Sequence, residues 1–498
     1  MKKILFAAMA ILICTAVTAQ QPDAIYKLIR YEWTINDDGS SDFHYRHEVQ
    51  ILRTRSLIAY ADKGETFVVY NPDLEELTVN EVYTIQKDGT RVNMPQNAFV
   101  YQLPSECADC GRFNHLRELA MVHTGMELGC TIVVDYTIHR QNNLIYESIP
   151  LQRDCPVETL DVKVFNHEYQ GLHYNITGSQ YLSGDNFKRA EKVDVKDDGS
   201  KIFCTSFSYV NVPQAPREPY MPEGIVPVLN LHTGTPQFIT ADDGKPFTAA
   251  EEVVGKMTNK DTDNELITKI RNYVVDNIHL NDIAPSHLGY NVAAPATTWE
   301  TGCGTAADKA ALLAAILRNE GYQANVAGEG HDLVGVIIDT MEYRLNLRSK
   351  APMQLYGEAH DEVSSGNFTT TADAELDTIA DGFFRLSFAG IPGEPTVSAR
   401  NLALTRTTPL QGNACDITST ETYNLPKGMK LVGGSVSDKL SFDGIGSMQV
   451  TVKQSGKTLK VERKLKIEKS IIPVEDYANY RKLLATWQSH TGATLRSK

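Results

Sequence analysis

Tryptophan is scarce in this chain: three among 498 residues, Trp33, Trp299 and Trp487, too far apart in sequence to suggest a clustered aromatic platform for a glycan. Beyond the first 19 positions no apolar run approaches the ~20 residues of a membrane-spanning helix, so no membrane span is expected. Basic residues are in deficit, 48 Lys and Arg against 62 Asp and Glu, for a net charge of −14. No basic run could track a phosphate backbone, which excludes nucleic acid as a partner and disfavours anionic membrane surfaces. There is no glycine-rich phosphate loop before a helix, no H-E-x-x-H and no G-x-S-x-G, so phosphate-loop, zinc-peptidase and serine-hydrolase chemistry lack their residues. The pairs Asp37-Asp38, Asp197-Asp198 and Asp242-Asp243 sit in turn sequences, where carboxylates are normally solvated. No cofactor and no metal site is expected.

The amino end is a different matter. Met1 to Ala19 opens with Lys2-Lys3, is apolar from Ile4 to Ala16 except for Thr15, and closes Val17-Thr18-Ala19. This pattern reads as a cleaved secretory signal with Gln20 as the mature terminus, predicting an exported protein, periplasmic or secreted. Cys14 follows the bulky Ile13 rather than a small residue, which argues against a lipoprotein.

Seven cysteines follow the signal: Cys107, Cys110, Cys130, Cys155, Cys204, Cys303 and Cys415. An odd number in an oxidising compartment leaves at least one thiol unpaired within the chain. Cys130 and Cys155 are equidistant from the turn signal Asn142-Asn143, so a hairpin of strands 131–139 and 144–151 would bring them face to face. Cys107-Ala108-Asp109-Cys110 is read as a small loop disulfide or a structural pair. Its spacing to His115 and His123 fits no zinc pattern, and it lacks the strand-then-helix setting of a redox C-x-x-C.

Hydrophobic content of 42% over 498 residues supplies cores for roughly three domains. Residues 20 to about 245 alternate apolar and polar in segments such as Glu32 to Ile35, Phe43 to Ile51, Val79 to Gln86 and Ile202 to Val212, divided by turns at Gly39, Gly89 and Gly199. This predicts an antiparallel β-sandwich region, with a division near Pro156. Helical periodicity starts after Thr248, with Asn264 to Asn277 amphipathic behind Asp263. Trp299 is placed in a core. The polar stretch Gly357 to Asp373 is expected to be irregular. Strands are predicted at Phe383 to Phe388, Val397 to Thr405, Cys415 to Asn424, Met429 to Val436 and Gln449 to Lys469, with Arg463 breaking an apolar alternation. A final helix, Val474 to Ser489, carries Tyr477, Tyr480, Leu483, Leu484 and Trp487 at helical spacing.

The most telling segment is Gly302 to Gly321, G-C-G-T-A-A-D-K-A-A-L-L-A-A-I-L-R-N-E-G. Thr305 followed three residues later by Asp308 is a capping-box pattern, making Thr305 the N-cap and Ala306 the first helical residue. Gly321 ends the helix. Ala310, Leu313, Ala314 and Leu317 recur at helical spacing, while Leu312, Ala315 and Ile316 make it apolar nearly all round, as for a helix buried on every side.

This segment resembles the core helix of transglutaminase-like domains, in a bacterial branch where the domain follows an N-terminal domain of unknown function. Residues Tyr26 to His139 loosely resemble that upstream domain. In the branch the helix begins approximately G-D-C-K-D-K-A-x-L-L; anchoring on Asp308-Lys309-Ala310 and Leu312-Leu313 puts Gly304 on the family glycine and Ala306 on the nucleophilic cysteine. A thiol at a helix N-terminus is activated because unpaired N–H groups and the helix dipole favour the thiolate; alanine offers no such chemistry. The resemblance implies His331, at the start of a strand, for the base, and Asn346 in place of the orienting Asp.

The resulting expectation is an α+β, multidomain chain: signal peptide 1–19, N-terminal β domain 20–155, second part of the sandwich region 156–245, transglutaminase-like (papain-like) domain 246–350, irregular insertion 351–395, and C-terminal β domain with docking helix 396–498. Two functions follow. One is a non-catalytic pseudoenzyme of the cell envelope, binding or scaffolding an envelope protein, a peptide or a polysaccharide. The other is a cysteine acyltransferase or peptidase using Cys303 as displaced nucleophile, His331 as base, and Asn346 or Asp339 to orient it.

Overall fold

Period-two alternation among the described residues up to Ala215 builds one large sheet and contributes strands to two smaller ones. The computed structural model describes residues 22–56, 66–167, 171–182, 185–195, 199–222, 224–234, 238–255, 263–329, 333–338, 345, 347, 364–395 and 397–497. Eight strands form the sheet: β1 (Ala24–Ile35), β2 (Ser41–Ile51), β3 (Glu75–Ile85), β4 (Arg91–Asn93), β5 (Thr131–Arg140), β6 (Val157–Asn166), β7 (Phe187–Val195) and β8 (Lys201–Val212), in the order β7-β8-β6-β1-β2-β5-β3-β4. β1 and β2 make the hairpin expected at Asp37-Asp38-Gly39. Gly39 sits at φ +83°, and Asp38 accepts from the Ser40 N–H at 2.9 Å, an Asx turn that suits a tight reversal.

The sheet is not wholly antiparallel, since β1 runs parallel to β6 with Ile29 opposite Leu160. Nor do 131–139 and 144–151 form a hairpin. β5 pairs with β2 and β3, whereas Tyr146–Pro150 pairs with Val228–His232 in a separate three-stranded sheet. The chain uses Asn142-Asn143 to cross between sheets. Cys130 is a buried free thiol, and the expected bridge to Cys155 does not form. Ile149, Leu229 and Leu231 from the small sheet, with Ile145 just before it, share one core with Ile29, Trp33, Val49 and Val162 of the large one, giving the layered β arrangement that buries a one-sided apolar face.

The helical region that follows belongs to the same compact unit, which runs up to Ala215 and from Pro227 to Met353. It contains α1 (Asp263–Asn277), α2 (Pro295–Thr301), α3 (Ala306–Asn319) and an antiparallel hairpin of β9 (Ala324–Glu329) and β10 (Leu333–Ile338). α3 is buried from Ala306 to Leu317. Ile267, Ile270 and Val274 of α1 pack in its core together with Val336 and Ile338 of β10. Trp299 is in that core as expected, edge-on to Phe247 at 5.7 Å.

The second unit comprises Pro216–Val226 and the chain from Gln354. Its main sheet runs β11-β12-β15-β14-β13, formed by β11 (Ser364–Asp373), β12 (Cys415–Asn424), β13 (Val436–Phe442), β14 (Gly446–Ser455) and β15 (Thr458–Ile467). The expected irregular insertion therefore contains a strand, β11, pairing in parallel with β12. Polarity misleads there because an edge strand exposes much of its surface, and threonine favours the extended chain. Conversely, the strand expected at Val397 to Thr405 is absent. Ala399–Asn401 forms a 3-10 turn, with the Ala399 N–H held by Gln488 of α4 (Tyr477–Ser489) at 2.8 Å. α4 buries Tyr477, Tyr480, Leu483, Leu484 and Trp487, as its spacing predicted.

Arg463, the exception in β15, is buried and donates to Glu421 at 2.9 Å. Glu421 also accepts from the Ser419 hydroxyl at 3.0 Å and the Ala389 N–H at 3.1 Å. A buried charge is tolerable when it is this fully hydrogen-bonded.

Candidate functional site at the amino end of the core helix

The capping box forms as the sequence implies. Thr305 lies at φ −72° and ψ 171°, and its hydroxyl accepts from the Asp308 N–H at 3.2 Å. Asp308 reciprocates, accepting the Thr305 N–H at 2.8 Å and its hydroxyl at 2.9 Å. Its other oxygen takes the Ala293 N–H at 2.7 Å, and Arg112, from a loop almost two hundred residues upstream, donates to the same carboxylate. Gly304 is forced by this packing, because a Cβ there would lie 2.9 Å from Asp308 Cβ.

Lys309 follows on the helix and is 1% exposed. Its ammonium donates to the carbonyls of Ile278 at 2.9 Å and Val275 at 3.2 Å, closing the C-terminal end of α1 where unpaired carbonyls collect. Burial pulls its pKa down to about 8, with Asp276 opposing.

Ala306 is the first residue of α3 and presents a methyl group at 6% exposure. It lines a narrow cleft with Asn281, Ile283, Leu288, Thr305 and Phe238; the volume open to a water centre is about 10 Å³, space for roughly one water. Asn281 donates to the Glu106 carbonyl at 2.9 Å. Its Oδ1 is buried without a hydrogen-bond partner among the described residues.

Cys303 is not a free thiol. It is bonded to Cys110, with Cα atoms 6.1 Å apart and a separation of 193 in sequence. Cys303 cannot act as the nucleophile of the alternative reading while the bond stands, and the expected pairing of Cys107 with Cys110 is corrected. The reason is the docking of the 105–113 loop. Asn281 grips that loop by its carbonyls, and Cys303, in the two-residue strand Cys303–Gly304 beside His279–Leu280, meets Cys110 in an apolar cluster with Phe113, Leu116 and Ile283. Cys107 lies in the same cluster as a free thiol, 1% exposed, and burial, with Glu106 and Glu118 adding to it, pushes its pKa up to about 11. His331, Asn346 and Asp339 lie outside the described residues.

Sequence reasoning located the cap and the helix but missed Arg112, Asn281 and the role of Lys309. Asn281 and Arg112 carry no local signal, since their partners are remote in sequence. The Lys309 ammonium inside an apolar helix was visible, and burial at that position demanded a carbonyl or carboxylate partner.

The fold carries a transglutaminase-like core: residues 249–332 match the transglutaminase-like superfamily. Residues 37–196 match a domain of unknown function, DUF3857, and residues 387–496 a second, DUF3858. The chain thus carries an upstream domain of unknown function, a transglutaminase-like core and a C-terminal domain of unknown function, in that order. A protein from Parabacteroides distasonis described as a candidate protease has the same fold, with a TM-score of 0.74 at 23% identity over 95% of this chain and 99% of that one. An M1 zinc metallopeptidase from Deinococcus radiodurans, 10% identical over 51% of this chain and 53% of that one, gives a TM-score of 0.19 and carries no argument. No curated protein matches the chain.

Proposed function

We propose that the protein is exported and acts without catalysis, as a transglutaminase-like binding or scaffold module of the cell envelope for a protein, peptide or polysaccharide partner. One observation carries this reading: at the amino end of the core helix stands the Ala306 methyl, and the nearest candidate sulfur in sequence, Cys303, is consumed in a disulfide with Cys110. The remaining thiol of that cluster, Cys107, is buried and held protonated at neutral pH, so it is a poor nucleophile. A structural disulfide suits an oxidising compartment, which agrees with the signal-like first 19 residues. The candidate-protease description of the Parabacteroides protein favours peptide as the partner class, since a cleft that has lost its nucleophile can keep its ligand.

The test uses the oxidised mature protein. Amine incorporation into protein carboxamides and hydrolysis of a peptide library should both stay at background, while pull-down from envelope extract should retain a saturable partner. Turnover in either assay that His331→Ala abolishes would overturn the non-catalytic reading. Recovery of the protein in the cytoplasmic fraction would overturn the envelope assignment.

A further inference from the structure

Cys107, Cys110 and Cys303 share one small apolar cluster, and only two of them are bonded. Cys107 and Cys110 lie on the same tight loop, where the Cys110 N–H donates to the Cys107 carbonyl at 3.3 Å and Asp109 between them turns at φ +67°. Asn281 holds this loop through the carbonyls of Glu106 and Ala108, so the loop that carries the third sulfur is fixed in the same apolar cluster as the bridge. A C-x-x-C pair can itself close a disulfide. The cluster therefore holds a bond, a competing thiol and a second stable product.

We propose that these residues form an intramolecular thiol–disulfide exchange site, in which Cys107 displaces Cys303 from Cys110 and frees the Cys303 thiol at the threshold of the core helix. The Cys107 thiol loses its proton to a solvent base, and its thiolate attacks Cys110 Sγ. The Cys107–Cys110 bond forms as the Cys110–Cys303 bond breaks, and Cys303 leaves as a thiolate that takes a proton from water. One disulfide and one thiol stand on each side, so no external oxidant or reductant is consumed. The step severs the covalent tie between the 105–113 loop and the strand leading into α3, without placing sulfur at Ala306. It does not depend on whether the protein is a catalyst.

Attack requires the thiolate, and the elevated Cys107 pKa keeps exchange slow near neutrality. Below a thiol's pKa the thiolate fraction rises tenfold per pH unit, so the rate should rise about 100-fold between pH ~7 and pH ~9.

The experiment takes the folded, oxidised full-length mature protein without added thiol, quenches timed samples into acid denaturant containing N-ethylmaleimide, and maps labels and bridges by mass spectrometry after cleavage before Asp109. At the higher pH the label should move from Cys107 to Cys303 as the Cys107–Cys110 bridge appears, at a rate independent of protein concentration. In Cys107→Ala, Cys303 should remain unlabelled. Persistence of the Cys110–Cys303 bridge in the folded wild-type protein at the higher pH would overturn the proposal, as would equal release of Cys303 in Cys107→Ala, which would assign the attack to another thiol.

Discussion

Arg112 donates to the carboxylate of Asp308, joining a loop of the N-terminal β region to the first turn of the core helix inside one compact unit. Asp308 is 1% exposed and serves cap, neighbouring backbone and guanidinium together. Its loss would leave Arg112 without its partner and Thr305 and Ala293 with unpaired N–H groups. Asp308→Ala should destabilise the unit by about 3–5 kcal/mol, against about 1 kcal/mol for an ordinary lost cap. Urea unfolding of this variant, of Arg112→Ala and of the double variant measures the coupling; additive effects would show that the two side chains do not act as a pair.

Lys309 makes stability depend on alkaline pH. Its pKa falls from 10.5 to about 8 on folding, chiefly through burial. Between those values the unfolded chain binds more protons than the folded one, so this group makes stability rise with pH, and the gain is complete above the unfolded value. The contribution is on the order of 3 kcal/mol. Chemical denaturation from neutral pH to pH 10.5 should show a positive slope in the wild type that Lys309→Met lacks.

The Cys110–Cys303 bond closes a loop of 193 positions, and constraint of so long a loop in the unfolded chain predicts about 3–5 kcal/mol of stabilisation. A Cys110→Ser, Cys303→Ser double variant should lose that much, and adding reductant should lower the melting temperature of the wild type but leave the double variant unchanged.

Arg463 and Glu421 are a buried pair whose value lies in not being broken. Arg463→Met alone should cost about 3–5 kcal/mol by stranding Glu421, while Arg463→Met with Glu421→Leu should recover only part of that loss, because the Ser419 and Tyr423 hydroxyls lose the acceptor they share. Thermal unfolding of the two single variants and the pair completes the cycle.

Legibility from the sequence followed the range of the interaction. The Thr305–Asp308 cap, the apolar α3, the Gly39 turn and the burial of Tyr480 and Trp487 were readable because each is written within a few residues, in hydrogen-bond reach along the chain or in the 3.6-residue repeat. The β11 strand was misread because an edge strand is not required to alternate visibly. The Cys130 to Cys155 bridge was misassigned because symmetry about a turn says nothing about whether the flanking strands pair.

The sequence by itself determined which segment is the core helix, where that helix begins, and that its first position carries a methyl group. Only the tertiary structure decided that Cys303 is spent on Cys110, that Arg112 anchors Asp308 and that Lys309 closes α1. Those contacts join residues from about 30 to almost 200 positions apart, and no local preference of the chain encodes them. They exist because packing two apolar surfaces brings a loop, a strand and a helix end together, and each polar group buried there must then find its partner in space.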